Sequence, residues 1–209
     1  MLTVLGLIFM SSHVQKNSDN YHHGHLRHAL LSTARILLEE SGANRLNLRE
    51  IARRVGVSAP SVYHHFSKMD SLTAALAEEG FKELLEEMED TIDSQNNRTR
   101  TIGENYILFA CNNPGLYRLM FGDIFRKTSK ESDHIKTLRQ KTKTHLLRKL
   151  RHLPEDEMEI GAIYLWSVVH GLALLLIDQQ VAPSKDRDEM IQKVLKLSGS
   201  GLLLSSVNK

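Results

Sequence analysis

One cysteine in 209 residues leaves no partner for an intramolecular disulfide and no thiolate set for a zinc cage. Cys111 therefore fits a reducing compartment and reads as a small core residue. Strong net charge is also missing: the formal value of +2 is too small to name a partner. No nucleophile stands beside a base at local spacing, and there is no glycine-rich phosphate loop, so nothing in the chain reads as a helical enzyme. The opening MLTVLGLIFM is apolar but carries no basic segment. SSHVQKNSDN after it offers no small-residue cleavage site, which argues against a signal peptide. Met10 stands beside Met1 as a candidate start, and residues 1–20 are expected to form a flexible N-terminal extension.

What is present is ordinary in amount and uneven in placement. Hydrophobic residues make up 41% and charged residues 25%, as in a soluble globular protein with room for one or two domains. From Tyr21 to Met69 seven Arg and Lys face three acids, a local balance of +4 that leaves the remainder of the chain at −2. A basic head on a mildly acidic body suits the binding of a polyanion.

The stretch YHHGHLRHALLSTARILLEESGA spaces Leu26, Ala29, Leu30, Ala34, Leu37 and Leu38 as one helix face, with Arg27 and Arg35 off it and Gly42 as the stop signal. His25 and His28 would share a helix face, but no acid or cysteine lies near, so they read as solvated or phosphate-facing and not as metal ligands. Next, Asn47 followed by Glu50 has capping-box spacing. Ile51, Ala52 and Val55 form a short apolar stripe, and Gly56 stands where the chain must reverse. Ser58 is a second N-cap, and Pro60 sits in the first turn, where a missing N–H costs little. Val62 and Phe66 point back to the core. Ala59, Ser61, Tyr63, His64 and His65 are left on an outer face without an acid, the surface that a helix entering a DNA groove requires.

The segments YHHGHLRHALLSTARILLEESGA and LNLREIARRVGVSAPSVYHHFSKMDSL resemble the N-terminal DNA-binding domain of the TetR family of transcriptional repressors, over residues 21–72. Val62-Tyr63-His64-His65-Phe66 followed by Lys68 is the most specific part of the likeness. The resemblance implies a DNA-binding set of Arg49, Ser58, Ala59, Pro60, Ser61, Tyr63, His64 and Lys68. Ala59, Pro60 and Ser61 would meet bases. Tyr63, His64 and Lys68, helped by Arg49, would clamp phosphates. His25 stands where the family pattern has an acid.

The rest of the chain reads as a helical body. A 3.6-residue period from Asp70 to about Asp93 predicts a long connecting helix, with SQNNRTR at 94–100 as a loop. Shorter helices are expected at 101–111 and 115–125, parted by Asn113-Pro114-Gly115, and a basic-faced one at 129–152. Ile160 to Ile177 runs eighteen residues without a charge. Acids at 155–157, 159 and 178 flank it, Ser167 and His170 interrupt it, and basic or aromatic anchors are missing. It is therefore expected to face its own core on one side and a second subunit on the other, not a membrane. A last helix is expected from Asp186 to Ser205, interrupted near Gly199–Gly201; with its predecessor it could form an isologous four-helix interface. Asn113 to Phe121 and Trp166-Ser167-Val168-Val169-His170-Gly171 resemble the C-terminal domain of a TetR subgroup with a Trp-His-Gly motif.

The expected protein is all-α, about nine helices, with an extension at 1–20, a head at 21–68 and a body at 69–209. The resemblance implies a cytoplasmic homodimeric repressor on a pseudo-palindromic operator, needing no cofactor or metal. Candidate pocket residues are Met88, Tyr106, Phe109, Tyr117, Phe121, Trp166 and His170, a set suited to a mostly apolar effector, although each also fits plain core packing. A body that dimerises without responding to a ligand is the alternative.

Overall fold

The computed structural model describes residues 19–89, 92–93, 98–122, 132–146, 155–182 and 186–205. Among these residues there are nine α-helices. Leu30, Leu31, Ala34, Leu37 and Leu38 bury one face of α1, Asp19–Ser41. Gly42, at φ 76°, ends it by donating to the Leu38 carbonyl at 2.9 Å. A 3₁₀ turn, Ala43–Arg45, leads to α2, Leu48–Val55, and α3, Ala59–His65. The long α4 spans Met69–Glu89, shorter than its periodicity suggested. Part of the expected loop is paired: Ile92–Asp93 lies antiparallel to Arg98–Thr99.

The body continues with α5, Ile102–Asn112, and α6, Pro114–Phe121. After them come α7, Asp133–Leu146, α8, Glu155–Ile177, and α9, Arg187–Ser205. The helix expected at 129–152 is described only across 133–146, and the expected segment beyond Gly122 lies outside the described residues; of the extension expected over 1–20, residues 1–18 lie outside them and Asp19–Asn20 already belong to α1. α9 runs through Gly199–Gly201 without the expected break.

α5 begins with a reciprocal capping box. Glu104 N–H donates to Thr101 Oγ1 at 3.2 Å, and Thr101 N–H donates to the Glu104 carboxylate at 2.6 Å. Asn47 caps α2 without a box, accepting from the N–H of Arg49, the second helical residue, at 2.8 Å. Glu50, expected as the other half, turns instead to Arg53 and Arg54.

One continuous core joins head and body. It runs from Leu30 and Ile51 through Leu72, Leu76 and Phe81 to Tyr106, Tyr117 and Val169. α4 packs on α5, α6 and α7, and α8 packs on α5 and α9. Burying each large apolar side chain stabilises the fold by roughly 1.5–3 kcal/mol.

Candidate nucleic-acid interface and aromatic core

The outer face of α3 is fixed from both ends. At the turn, Gly56 adopts φ 79° and ψ 31°, and its N–H reaches the Ala52 carbonyl at 3.0 Å. At the start of α3, Ser58 Oγ accepts from Ser61 N–H at 3.4 Å and lies 2.8 Å from Ser61 Oγ. Val62 and Phe66 are buried, which locks the rotation of α3 about its axis. Arg27 of α1 lies over the Phe66 ring, 5.3 Å from its centroid.

The expected set is drawn from the start of α2, from α3 with its N-cap, and from the turn after α3. Arg49, Ser58, Pro60, Tyr63, His64 and Lys68 are exposed, and Ala59 and Ser61 are partly covered. Tyr63 keeps 45% of its surface open. Lys68 Nζ is 3.4 Å from Asp70, with most of its side chain in solvent. Such a surface pair is weak and yields readily to another anion. His64 and His65 stand edge to face, with centroids 5.5 Å apart.

Two of the three arginines of α2, Arg53 and Arg54, are engaged within the head. Arg53 and Arg54 both donate to Glu50, and Arg54 also pairs with Glu40 of α1 at 2.9 Å, tying α2 to α1. The Arg53 guanidinium first, then that of Arg54, holds the Glu50 carboxyl down at about 2. Arg35 was expected merely off the buried face. It is drawn into the seam between head and body, where it binds Glu83 of α4 and Asn113. Spacing does not reveal these partners, because they come from distant parts of the chain. Among the described residues no group of His, Cys, Asp or Glu converges as a metal site.

In the body, Tyr106, Tyr117, Phe121, Trp166 and His170 come together. The Tyr117 hydroxyl donates to that of Tyr106 at 2.9 Å and lies 2.6 Å from His170 Nδ1. Trp166 stacks on His170 at 5.6 Å with an interplanar angle of 15°. Phe121 packs against Tyr106, Tyr117, Trp166 and His170. Burial raises both tyrosine hydroxyls well above their ordinary range and lowers the His170 imidazole below its own. Met88 and Phe109 are buried in the same core as Tyr106 and Tyr117, and Phe109 also borders a cleft with Glu83, Glu86, Glu87 and Asn113.

α8 divides its uncharged run as expected for the core side. Ala162, Val169, Leu172 and Ala173 are buried. The opposite side is uncovered in the single chain: Ile160 is 68% exposed, and Ile163, Tyr164 and Leu175 are exposed with it. Gly171 on the same strip has nothing within 4 Å of where a Cβ would sit. Leu197 of α9 is 74% exposed. α8 is long and apolar enough to cross a membrane by length and composition.

A three-helix head with a turn-held second and third helix, joined by a long helix to a helical body, defines a helix-turn-helix regulator. Residues 30–76 match the family described as bacterial regulatory proteins, tetR family, and residues 99–197 match the Tetracyclin repressor-like, C-terminal domain. The chain belongs to the TetR family and is a transcriptional regulator, not an enzyme. It is similar to the HTH-type transcriptional regulator YobS of Bacillus subtilis, 24% identical over 86% of this chain and 93% of that one. It is also similar to the nucleoid occlusion factor SlmA of Vibrio cholerae, 27% identical over 77% of this chain and 88% of that one. Among solved structures, a protein of unknown function from Rhodococcus sp. RHA1 superposes with a TM-score of 0.70 at 27% identity, covering 88% of this chain and 98% of that one. PfmR of Thermus thermophilus shares the fold with a TM-score of 0.60 at 18% identity, covering 81% of this chain and 92% of that one.

Proposed function

We propose that the chain is a cytoplasmic homodimeric repressor that reads a pseudo-palindromic DNA operator with α3 and releases it when an apolar small molecule binds the body. The observation that carries the DNA reading is the acid-free outer face of α3, held at a fixed rotation by buried Val62 and Phe66. In this reading Ala59, Pro60 and Ser61 approach base edges. Ser58 orients the Ser61 hydroxyl. Tyr63, His64, Lys68 and Arg49 meet phosphates on either side. The exposed apolar strip of α8, with Leu197 of α9, supports pairing with a second copy. Two heads so paired would enter successive major grooves roughly 34 Å apart. The same strip argues for a partner subunit over a membrane, because the other side of α8 is packed into the body. In this reading the head runs to residue 68, beginning with α1 at Asp19 and not at Tyr21, and the body is 69–209.

Selection of bound DNA from a random pool tests this directly. The expected product is an inverted repeat bound by two chains. A pool that gains no common sequence overturns the reading.

For the effector, Tyr106, Tyr117, Phe121, Trp166 and His170 offer aromatic walls with hydroxyls and an imidazole, and Met88 and Phe109 would extend the apolar lining. A second reading is favoured by one observation: Tyr106 and Tyr117 are fully buried and already bonded to each other, as in a core that only supports dimerisation. Compounds scored by release of the selected DNA separate the two. No release by any apolar ligand that binds the body supports the second.

A further inference from the structure

Helix α6 is held at its start by a residue that belongs to the head. The two Glu39 carboxylate oxygens accept from the backbone N–H of Gly115 at 2.7 Å and of Leu116 at 2.9 Å. These donors lie in the first turn of α6, where no intrahelical carbonyl reaches them. Asn113 occupies the N-cap position but makes no side-chain cap. Its amide donates instead to the Phe109 carbonyl at 3.0 Å and its oxygen accepts from Arg35 at 2.8 Å. Arg35 stands one turn before Glu39 on α1 and also donates to both oxygens of Glu83 on α4, at 3.1 and 3.0 Å.

The approach is close at one point and open beside it. A Cβ on Gly115 would lie 2.7 Å from the Leu38 carbonyl oxygen, so only glycine lets α1 and α6 meet this way. Next to the contact a cleft of about 280 Å³ opens between Ala43, Asn44 and Leu119. Here polar bonds add to the apolar core that Leu38, Leu116 and Leu119 share.

α6 is also tied to α8. Arg118 donates to the carbonyl of Ile177, the last residue of α8, at 2.8 Å, and to the Asp178 carboxylate. Between the two ties, Tyr117 reaches His170 on α8. α6 is thus a short strut with one end on the head and its flank on α8.

We propose that Glu39 is a positioning residue that latches the reading head to the body, so that a rearrangement of α8 reaches α1 through α6 by a route that does not pass along α4. This rests on the DNA-reading function proposed above. A carboxylate on two backbone N–H groups is a charge-assisted cap, stronger than a neutral one, and its loss leaves two partly buried donors unpaired.

The test uses the full chain as Glu39→Ala and Glu39→Gln, with Glu40→Ala as a control that removes a carboxylate paired within the head. Amide exchange is read at Gly115 and Leu116. Spin labels at Arg53 in the head and Lys193 in the body, in a Cys111→Ser background, report the spread of head–body distances. Affinity is measured on the DNA selected from the random pool. Glu39→Ala should speed exchange at both amides by about tenfold or more. It should also broaden the distance distribution and weaken DNA binding by about tenfold. Glu39→Gln should fall between, and Glu40→Ala should leave the distances unchanged. Faster exchange with unchanged distances and affinity would reduce Glu39 to a local cap and overturn the latch. If Glu39→Ala does not fold, Glu39→Gln carries the same readouts. If the unsubstituted chain binds no DNA, the proposed operator reading fails while the distances still decide the latch.

Discussion

Tyr117 of α6 places its hydroxyl 2.6 Å from Nδ1 of His170 on α8, although the two are 53 residues apart. Burial holds the His170 imidazole below its ordinary 6.5. Above that value folded and unfolded chains both carry it neutral, and it adds no pH dependence. As pH falls below 6.5 the unfolded chain takes up the proton first. Stability is therefore lost on acidification until the folded value is passed. Melting temperatures of the native chain and His170→Gln, compared from about pH 8 to about pH 5, should show the native chain losing more. A difference between the two that stays constant with pH would show that His170 does not titrate in this way.

The turn of the head gives a purely conformational test. Gly56 has φ 79° and open space around the position of a Cβ, so Gly56→Ala meets no clash and costs only left-handed strain. That strain is roughly 1–2 kcal/mol. Gly115→Ala should cost through contact with the Leu38 carbonyl instead, and should disturb the α1–α6 seam. Denaturant unfolding with amide exchange distinguishes them: a Gly56→Ala chain as stable as the native one would refute the backbone account.

On DNA, Lys68→Ala should weaken binding evenly across sequences and lower the salt slope by about 1. Tyr63→Ala added to it should weaken binding further with helicity retained. Ser61→Ala should change base preference more than total affinity, because its hydroxyl is aimed by Ser58 at 2.8 Å. Repeating the random-pool selection with each variant reads all three. A uniform loss for Ser61→Ala would move that residue onto phosphate.

The strip on α8 makes a further prediction. Leu175 is exposed whereas Leu174 packs against the core, so Leu175→Glu probes pairing without injuring the protomer. Ile163→Glu does the same about three turns away. Sedimentation should show monomers with native helicity for both. Dimers of unchanged stability would place the interface elsewhere.

Much of the head was legible because its signals are local. Asn47, Gly56, Ser58 and Pro60 act within a few residues of their own backbone, and Val62 and Phe66 declare a buried face by spacing alone. Even there, Glu50 had two local options, and only the placement of Arg53 and Arg54 decided between cap and ion pair. In the body the periodicity of α4 and α8 announced helices, and the aromatic residues around His170 were visible as a set without their geometry.

By itself the sequence determined the helices, the turn between α2 and α3, the acid-free outer face of α3 and the uncharged run that became α8. These depend on dihedral preference, capping and helical period, which act over one or two turns. Only the tertiary structure decided that Glu39 caps a helix beginning at Pro114, that Arg35 joins three elements, and that Arg118 closes the end of α8. Each pairs groups 48 or more residues apart, and a carboxylate or guanidinium in the sequence carries no mark of which distant backbone it will meet. The packing of apolar faces sets those encounters, and the polar bonds then hold them in place.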